Sequence, residues 1–227
     1  MNYRIVHAGS SRSFPGAHAF VERAIDSGDC VVIVGSGAGR ALAGIEGRKK
    51  FRCVCVELGT ECLGVHTGAA GEALDAETPG NEGSNVLGFA RFRLGSAEPS
   101  NLVEIVRQPR TDAGALAAAR ALFEQAGLVV AVCNDVPGRI VDRLVRPYYN
   151  AALRRLDEGL ASAEDLDATL CFGLGYPEGP IALLQRTGLA AHFDVAQSLY
   201  EQLGDAAYAP ARRARVARMR DGGWITR

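Results

Sequence analysis

The stretch Asp135 to Leu153, DVPGRIVDRLVRPYYNAAL, marks the point where the chain changes character. Ile140, Leu144, Tyr148, Ala151 and Ala152 fall on one face at helical spacing, so a helix is expected here. Pro147 sits inside that pattern and predicts a kink or a break, because proline lacks the N–H that a helix interior uses. No strand-like run follows. Ser162-Ala163-Glu164-Asp165 reads as a helix start, with Leu166 and Leu170 toward the core. Gly173 to Pro180 forces a loop, and helices are expected again at Ile181–Leu184 and His192–Leu203.

Upstream the signals are those of an α/β sheet. Tyr3 to Ala8 is a short β-like run, and Ala17 to Ile25 has a helical pattern. Cys30 to Val34, CVVIV, is apolar throughout, as suits a strand buried on both faces of a parallel sheet. Glycines at Gly35, Gly37 and Gly39 follow it, and Phe51 to Leu58 reads as the next strand. Residues 67–85 are rich in glycine, alanine and acids and read as a loop. Val86–Leu94 and Val103–Val106 are strand candidates. Thr111-Asp112 caps a helix that Gly127 ends, and Leu128–Val132 returns as a strand. The expected organisation is an α/β domain over residues 1–136 and an all-α domain over 137–227.

Composition narrows the function classes. The 227 residues carry a net charge of −1, so no whole-chain field favours nucleic acid or an anionic membrane. The arginines at 212, 213, 215, 218 and 220 are expected to form a solvated helix face. Of the six cysteines, Cys30, Cys53, Cys55 and Cys133 lie in apolar runs, and no C-x-x-C pair suggests a metal or redox site. The N-terminus lacks a signal-peptide pattern, so a cytoplasmic protein with reduced thiols is expected.

A set of ordered motifs resembles the 3-hydroxyacyl-CoA dehydrogenase family. Val136-Pro137-Gly138-Arg139-Ile140-Val141-Asp142-Arg143-Leu144 resembles V-P-G-F-I-V-N-R-L. Pro147-Tyr148-Tyr149-Asn150-Ala151-Ala152 continues P-Y-x-N-x-A, Ala161 to Asp167 resembles A-S-x-E-D-I-D, and Gly173 to Pro180 resembles G-x-G-Y-P-x-G-P. Leu102 to Val106 looks like L-V-E-V. The resemblance implies a Rossmann-like domain, here shortened, followed by a helical domain that pairs two subunits and closes over an acyl-CoA. It also implies NAD-dependent oxidation of an L-3-hydroxyacyl-CoA to the 3-ketoacyl-CoA. In such a site a histidine, oriented by a glutamate, takes the hydroxyl proton.

Carried onto this chain, the resemblance places Glu104 at the orienting glutamate. Ala90 stands at the histidine's place, or Phe92 if the alignment slips by two residues. Glu61 and Cys62 replace two substrate-contacting serines, and Asp142 replaces an asparagine. Among the four histidines, His66 is the best alternative base, just after the Thr60–Leu63 segment. Glu104 has the backbone or Arg91 as candidate partners, and Asp142 has Arg139, Arg143 or Arg146. Gly35, Gly37 and Gly39 after a strand, with Glu57 closing the next, are the candidate NAD site. A purely structural glycine turn explains the same residues. In a second registration Tyr3–Gly9 is the first Rossmann strand and CVVIV a later one. No metal site is expected.

Two functions remain open on the sequence. One is an NAD-dependent dehydrogenase that has lost its usual histidine. The other is a non-catalytic homologue that binds acyl-CoA or assembles subunits. A homodimer through the helical domain is expected in either case.

Overall fold

The computed structural model describes residues 1–68 and 85–221. The loop expected at 67–85 thus lies almost wholly outside the described residues. The chain divides into two compact units, one of residues 1–92 and 99–140, the other of residues 93–98 and 141–227. The division falls at Ile140/Val141 rather than near 136, and a short piece of the upstream chain belongs to the helical unit.

The first unit is a six-stranded sheet. Its strands are β1 (Tyr3–His7), β2 (Cys30–Val34), β3 (Cys53–Glu57), β4 (Val86–Arg91), β5 (Leu102–Arg107) and β6 (Val129–Asn134). They lie side by side in chain order. All neighbours are parallel except β4 and β5, which run antiparallel. Every residue of β2 and β3 is buried, which is why both read as unbroken apolar runs.

One face of the sheet carries an aromatic cluster. Tyr3, Phe14, Phe20, Phe89 and Phe123 stack there with ring centroids 4.9–6.4 Å apart. Phe20 comes from α1 (Ala19–Glu22) and Phe123 from α4 (Ala113–Glu124), whose N-cap is Asp112. The helix expected over Ala17–Ile25 is a single turn, since Phe20 is its one buried side chain. The other face is covered by Ala38 and Leu42 of α2 (Ala38–Leu42) and by Leu63, just before α3 (Gly64–Thr67).

The second unit contains α5 (Val141–Asp157), α6 (Ala163–Leu174), α7 (Pro180–Thr187), α8 (Leu189–Leu203) and α9 (Arg212–Asp221). α5 runs through Pro147 without breaking. The carbonyl of Arg143, which Pro147 cannot serve, accepts a hydrogen bond from the Tyr208 hydroxyl at 3.1 Å. The apolar face expected of α5 is not the one that packs. Its buried residues are Asp142, Arg146, Tyr149, Asn150 and Leu153, and Leu144 is 70% exposed. α6 likewise buries no residue fully, and Leu166 and Leu170 are only half-buried. Among the described residues, no helix is long and apolar enough to cross a membrane.

Candidate functional site

Two places in the first unit bring sequence-singled residues together. The first is built on the antiparallel β4–β5 pair. Its register sets Ala90 directly opposite Glu104, so side chains at these positions are neighbours on one face. In this register Ala90, not Phe92, stands opposite Glu104. Ala90 is itself buried.

Glu104 is buried and fixed by the protein. One carboxylate oxygen accepts the Ile140 N–H at 2.8 Å, and the other lies 3.4 Å from Arg139 Nε. Of the partners expected for it, the backbone is present in the Ile140 N–H, and Arg91 donates to the carbonyls of Ser13, Pro99 and Ser100. Arg139 has φ 53, the left-handed region that non-glycine residues seldom adopt. Sequence reasoning assigns Arg139 only to Asp142, because no periodicity links it to a strand so far upstream. A guanidinium stays protonated at any physiological pH and cannot take a proton from an alcohol. Nearby, burial and then Glu104 push the Cys133 thiol up to about 11, so it stays protonated too.

The second place is a cavity of about 830 Å³ lined by the segments that leave the C-terminal ends of β1, β2 and β3. Ser10 and Arg12 come from the first segment, Gly35 to Arg40 from the second, and Gly59, Glu61 and His66 from the third. The glycines here serve the fold. Gly35 has φ 112, and a Cβ on it would meet the Gly9 carbonyl oxygen at 2.5 Å. A Cβ on Gly39 would fall 2.1 Å from the His66 ring, so this glycine makes the seat for the imidazole. His66 Nε2 lies 3.4 Å from Glu61 Oε1, which also accepts the Gly59 N–H at 3.0 Å. Partial burial pushes the Glu61 carboxyl up. The N–H groups of Gly59 and Glu61 and the His66 ring outweigh this, and its pKa lies below the usual value. Cys62 is half-buried on the same turn. Arg12 and Arg40 are lining residues that the sequence does not announce, since neither belongs to a recognisable motif.

NAD, which the resemblance implies, does not fit the Gly35–Gly39 turn. A dinucleotide needs backbone N–H groups free to meet its pyrophosphate and an acid free to meet a ribose. The N–H groups of Gly35, Ser36 and Gly37 are already bonded to Glu57, to the Ser10 carbonyl and to the Ala8 carbonyl. Glu57 is buried, with one oxygen 2.6 Å from Gly35 N and the other 2.7 Å from Ser13 N. The sheet order adds a second objection. A doubly wound sheet reverses direction at the strand that carries the dinucleotide, whereas this sheet proceeds from β1 to β6 without reversal among the described residues. The order agrees with the registration that makes β1 the first strand and β2 a later one. Gly35, Gly37, Gly39 and Glu57 therefore line a cavity, but as its walls.

Asp142 belongs to the second unit and is paired internally. Its Oδ1 accepts from Arg146 Nε at 2.7 Å, one of its three candidate partners. Arg146 Nη1 donates to His192 Nδ1 at 3.0 Å, so Nε2 carries the ring proton and donates to Asn150 Oδ1. Asn150 in turn donates to the carbonyls of Ala207 and Tyr208. Among the described residues, no group of three or more His, Cys, Asp or Glu side chains is placed to hold a metal.

Comparison with known proteins places these observations in a family. Residues 138–222 match the model of the 3-hydroxyacyl-CoA dehydrogenase C-terminal domain. A 3-hydroxybutyryl-CoA dehydrogenase of Bradyrhizobium diazoefficiens is 33% identical over 126 residues, covering 56% of this chain and 42% of the relative. The mitochondrial hydroxyacyl-coenzyme A dehydrogenase of Sus scrofa is 41% identical over 88 residues, 39% of this chain and 28% of that protein. The matched stretch thus spans less than half the length of these curated relatives. Among solved structures, the (S)-3-hydroxybutyryl-CoA dehydrogenase of Ralstonia eutropha aligns with a TM-score of 0.67 and 26% identity, over 88% of this chain and 68% of that one. Motifs and relatives agree: residues 138–222 match the C-terminal domain of the 3-hydroxyacyl-CoA dehydrogenases, and this chain is similar to members of that family.

Proposed function

We propose that this chain is a family member that does not transfer hydride and acts as a subunit-pairing homologue. The observation that carries this reading is the β4–β5 register: Ala90 stands opposite Glu104, and the carboxylate is engaged by Arg139 and the Ile140 N–H. A general base must sit within hydrogen-bond reach of the proton it takes, and the partners of Glu104 named here have no basic lone pair to offer. The pairing function is supported by large apolar side chains left in solvent on the helical unit, Phe172 above all.

The test is absorbance at 340 nm with NADH and acetoacetyl-CoA. The expected result is no NADH consumption and no NADH-induced rise in melting temperature; steady turnover overturns the proposal. A melting-temperature series with acetoacetyl-CoA alone separately reads whether the acyl-CoA expected from the resemblance binds.

The His66–Glu61 pair beside the cavity supports a second reading, a dehydrogenase with a relocated base. Under that reading NADH is consumed and His66→Ala abolishes it. Turnover that survives His66→Ala excludes His66 as the base.

A further inference from the structure

The sheet ends at β1, and the outer edge of that strand is open. β2 and β3 are buried throughout, whereas β1 is half-buried from Arg4 to Val6 and exposed at His7. The Ala8 N–H donates to the Val34 carbonyl at 2.7 Å. In a parallel ladder every second residue turns to the same neighbour. Arg4 and Val6 therefore also face β2, and Tyr3, Ile5 and His7 turn their backbone groups outward. The Tyr3 carbonyl accepts the Ile25 N–H at 2.9 Å, but among the described residues nothing bonds the outward groups of Ile5 and His7. Both residues line a groove of about 420 Å³ between β1 and the segment from Val21 to Asp26.

The two sides of this groove differ in chemistry. Ile5, Val21 and Ala24 pack against the core on the aromatic face, and Ile25 is 43% exposed. Val6 and Phe51 pack against the core of the opposite face. Arg4 shares that side: its guanidinium lies 5.0 Å from the Phe51 ring centroid. Its Nε is buried and has no hydrogen-bond partner among the described residues. Phe51 follows the turn Arg48–Lys50, whose three cations are exposed. One acid, Asp26, borders the groove.

We propose that the β1 edge docks an extended segment of a partner protein in which acidic side chains alternate with apolar ones. An open edge is a template for one more strand, and the N–H and C=O groups of Ile5 and His7 supply its hydrogen bonds. Nothing in β1 blunts the edge, since it holds no proline and pairs with β2 without a bulge. Side chains of an added strand point to the two faces in turn. The apolar ones meet Val21, Ala24 and Ile25, and the carboxylates meet Arg4 and the cations of the turn Arg48–Lys50. A carboxylate gives the buried Arg4 Nε the acceptor it lacks, in a charge-assisted bond. This edge belongs to the sheet unit and goes beyond the pairing of helical units, so the two stand or fall separately.

The experiment is fluorescence polarisation of the full chain with a labelled, capped seven-residue peptide alternating valine and glutamate. The controls are a valine–lysine peptide and the glutamate peptide N-methylated at alternate residues, which cannot donate to an edge. The glutamate peptide is expected to bind, and both controls to bind at least about tenfold more weakly. Arg4→Gln is expected to weaken it about tenfold, the loss of one charge-assisted contact. Ile5→Pro removes an outward N–H that the β2 ladder does not use, and is expected to abolish binding with unchanged circular dichroism. The N-methylated peptide makes the same test from the ligand side and needs no folded variant. Arg212→Ala, on α9, is expected to change nothing. No binding at about 1 mM peptide, controls that bind as tightly, or indifference to Arg4→Gln or to a folded Ile5→Pro would each overturn the proposal. A wild-type dimer that Ile5→Pro turns into a monomer would assign the edge to a second copy and overturn it too.

Discussion

His192 shows how one buried residue can make this fold sensitive to pH. It is fully buried, its Nδ1 accepts from Arg146 and its Nε2 donates to Asn150. Burial, and then the Arg146 charge, push its pKa down to about 3. In the unfolded chain a histidine titrates near ~6.5. Between those values the unfolded state binds a proton that the folded state refuses. The stabilisation from keeping His192 neutral is therefore complete above ~6.5 and is lost as pH falls toward the folded value, by up to ~1.4 kcal/mol per pH unit. Urea unfolding of the wild type between pH 7 and pH 5 should show this loss, and His192→Gln should flatten it. Parallel stability curves for the two proteins would exclude His192 as the source. At this scale the sequence is legible where a residue's partner is fixed by a local repeat. Asp142 and Arg146 are one helical turn apart, and spacing alone makes them candidates for each other. The pairing of Glu104 with Arg139 is not legible in the same way, because it depends on a left-handed backbone at Arg139 that only the fold imposes.

Elements are legible where burial is symmetrical. β2 and β3 are buried on both faces, so their sequences are apolar throughout and their bounds agree with the pattern to within a few residues. The packed face of α5 departs from its sequence pattern because that face is polar. Asp142, Arg146 and Asn150 take the inner positions and are hydrogen-bonded there, while Leu144 points to solvent. A hydrophobic-stripe rule assumes that the apolar face is the buried one, and here part of it is not. The join between α6 and α7 depends on one carboxylate. Asp167 accepts the N–H of Ile181 at 2.9 Å and that of Ala182 at 2.8 Å, two donors that the first turn of α7 leaves unbonded. Asp167→Ala should lower stability by ~1–2 kcal/mol, the range for loss of an N-terminal cap. Asp167→Asn should cost less, because its amide oxygen still accepts one of the two bonds. A chemical-denaturation midpoint unchanged by Asp167→Ala would show that solvent replaces the cap.

At the scale of the molecule, the motifs of the helical half point to the family whose C-terminal domain they match, and the order of the strands is not readable. Consecutive strands in a parallel sheet can add on either side of the first, and a single sequence does not say which side. The sequential order explains why the glycine turn after β2 is structural: it abuts the loop after β1, and its N–H groups close against that loop. The helical unit poses the complementary question of what covers its exposed apolar residues. Phe172 is 91% exposed and Leu174 66% on α6, and Leu144 of α5 and Leu160 between the two helices are exposed as well. Burying one such side chain fully is worth ~1.5–3 kcal/mol, so several together can hold two copies in a two-fold pair. A two-fold interface uses the same patch on both subunits, so one substitution acts twice. Phe172→Glu places two carboxylates in that interface at no cost to the monomer, where the position faces solvent. Light scattering at micromolar concentration should give a dimer for the wild type and a monomer for Phe172→Glu, with identical circular dichroism. A wild-type monomer would remove the pairing function, whereas a dimer that survives Phe172→Glu would move the interface to another surface.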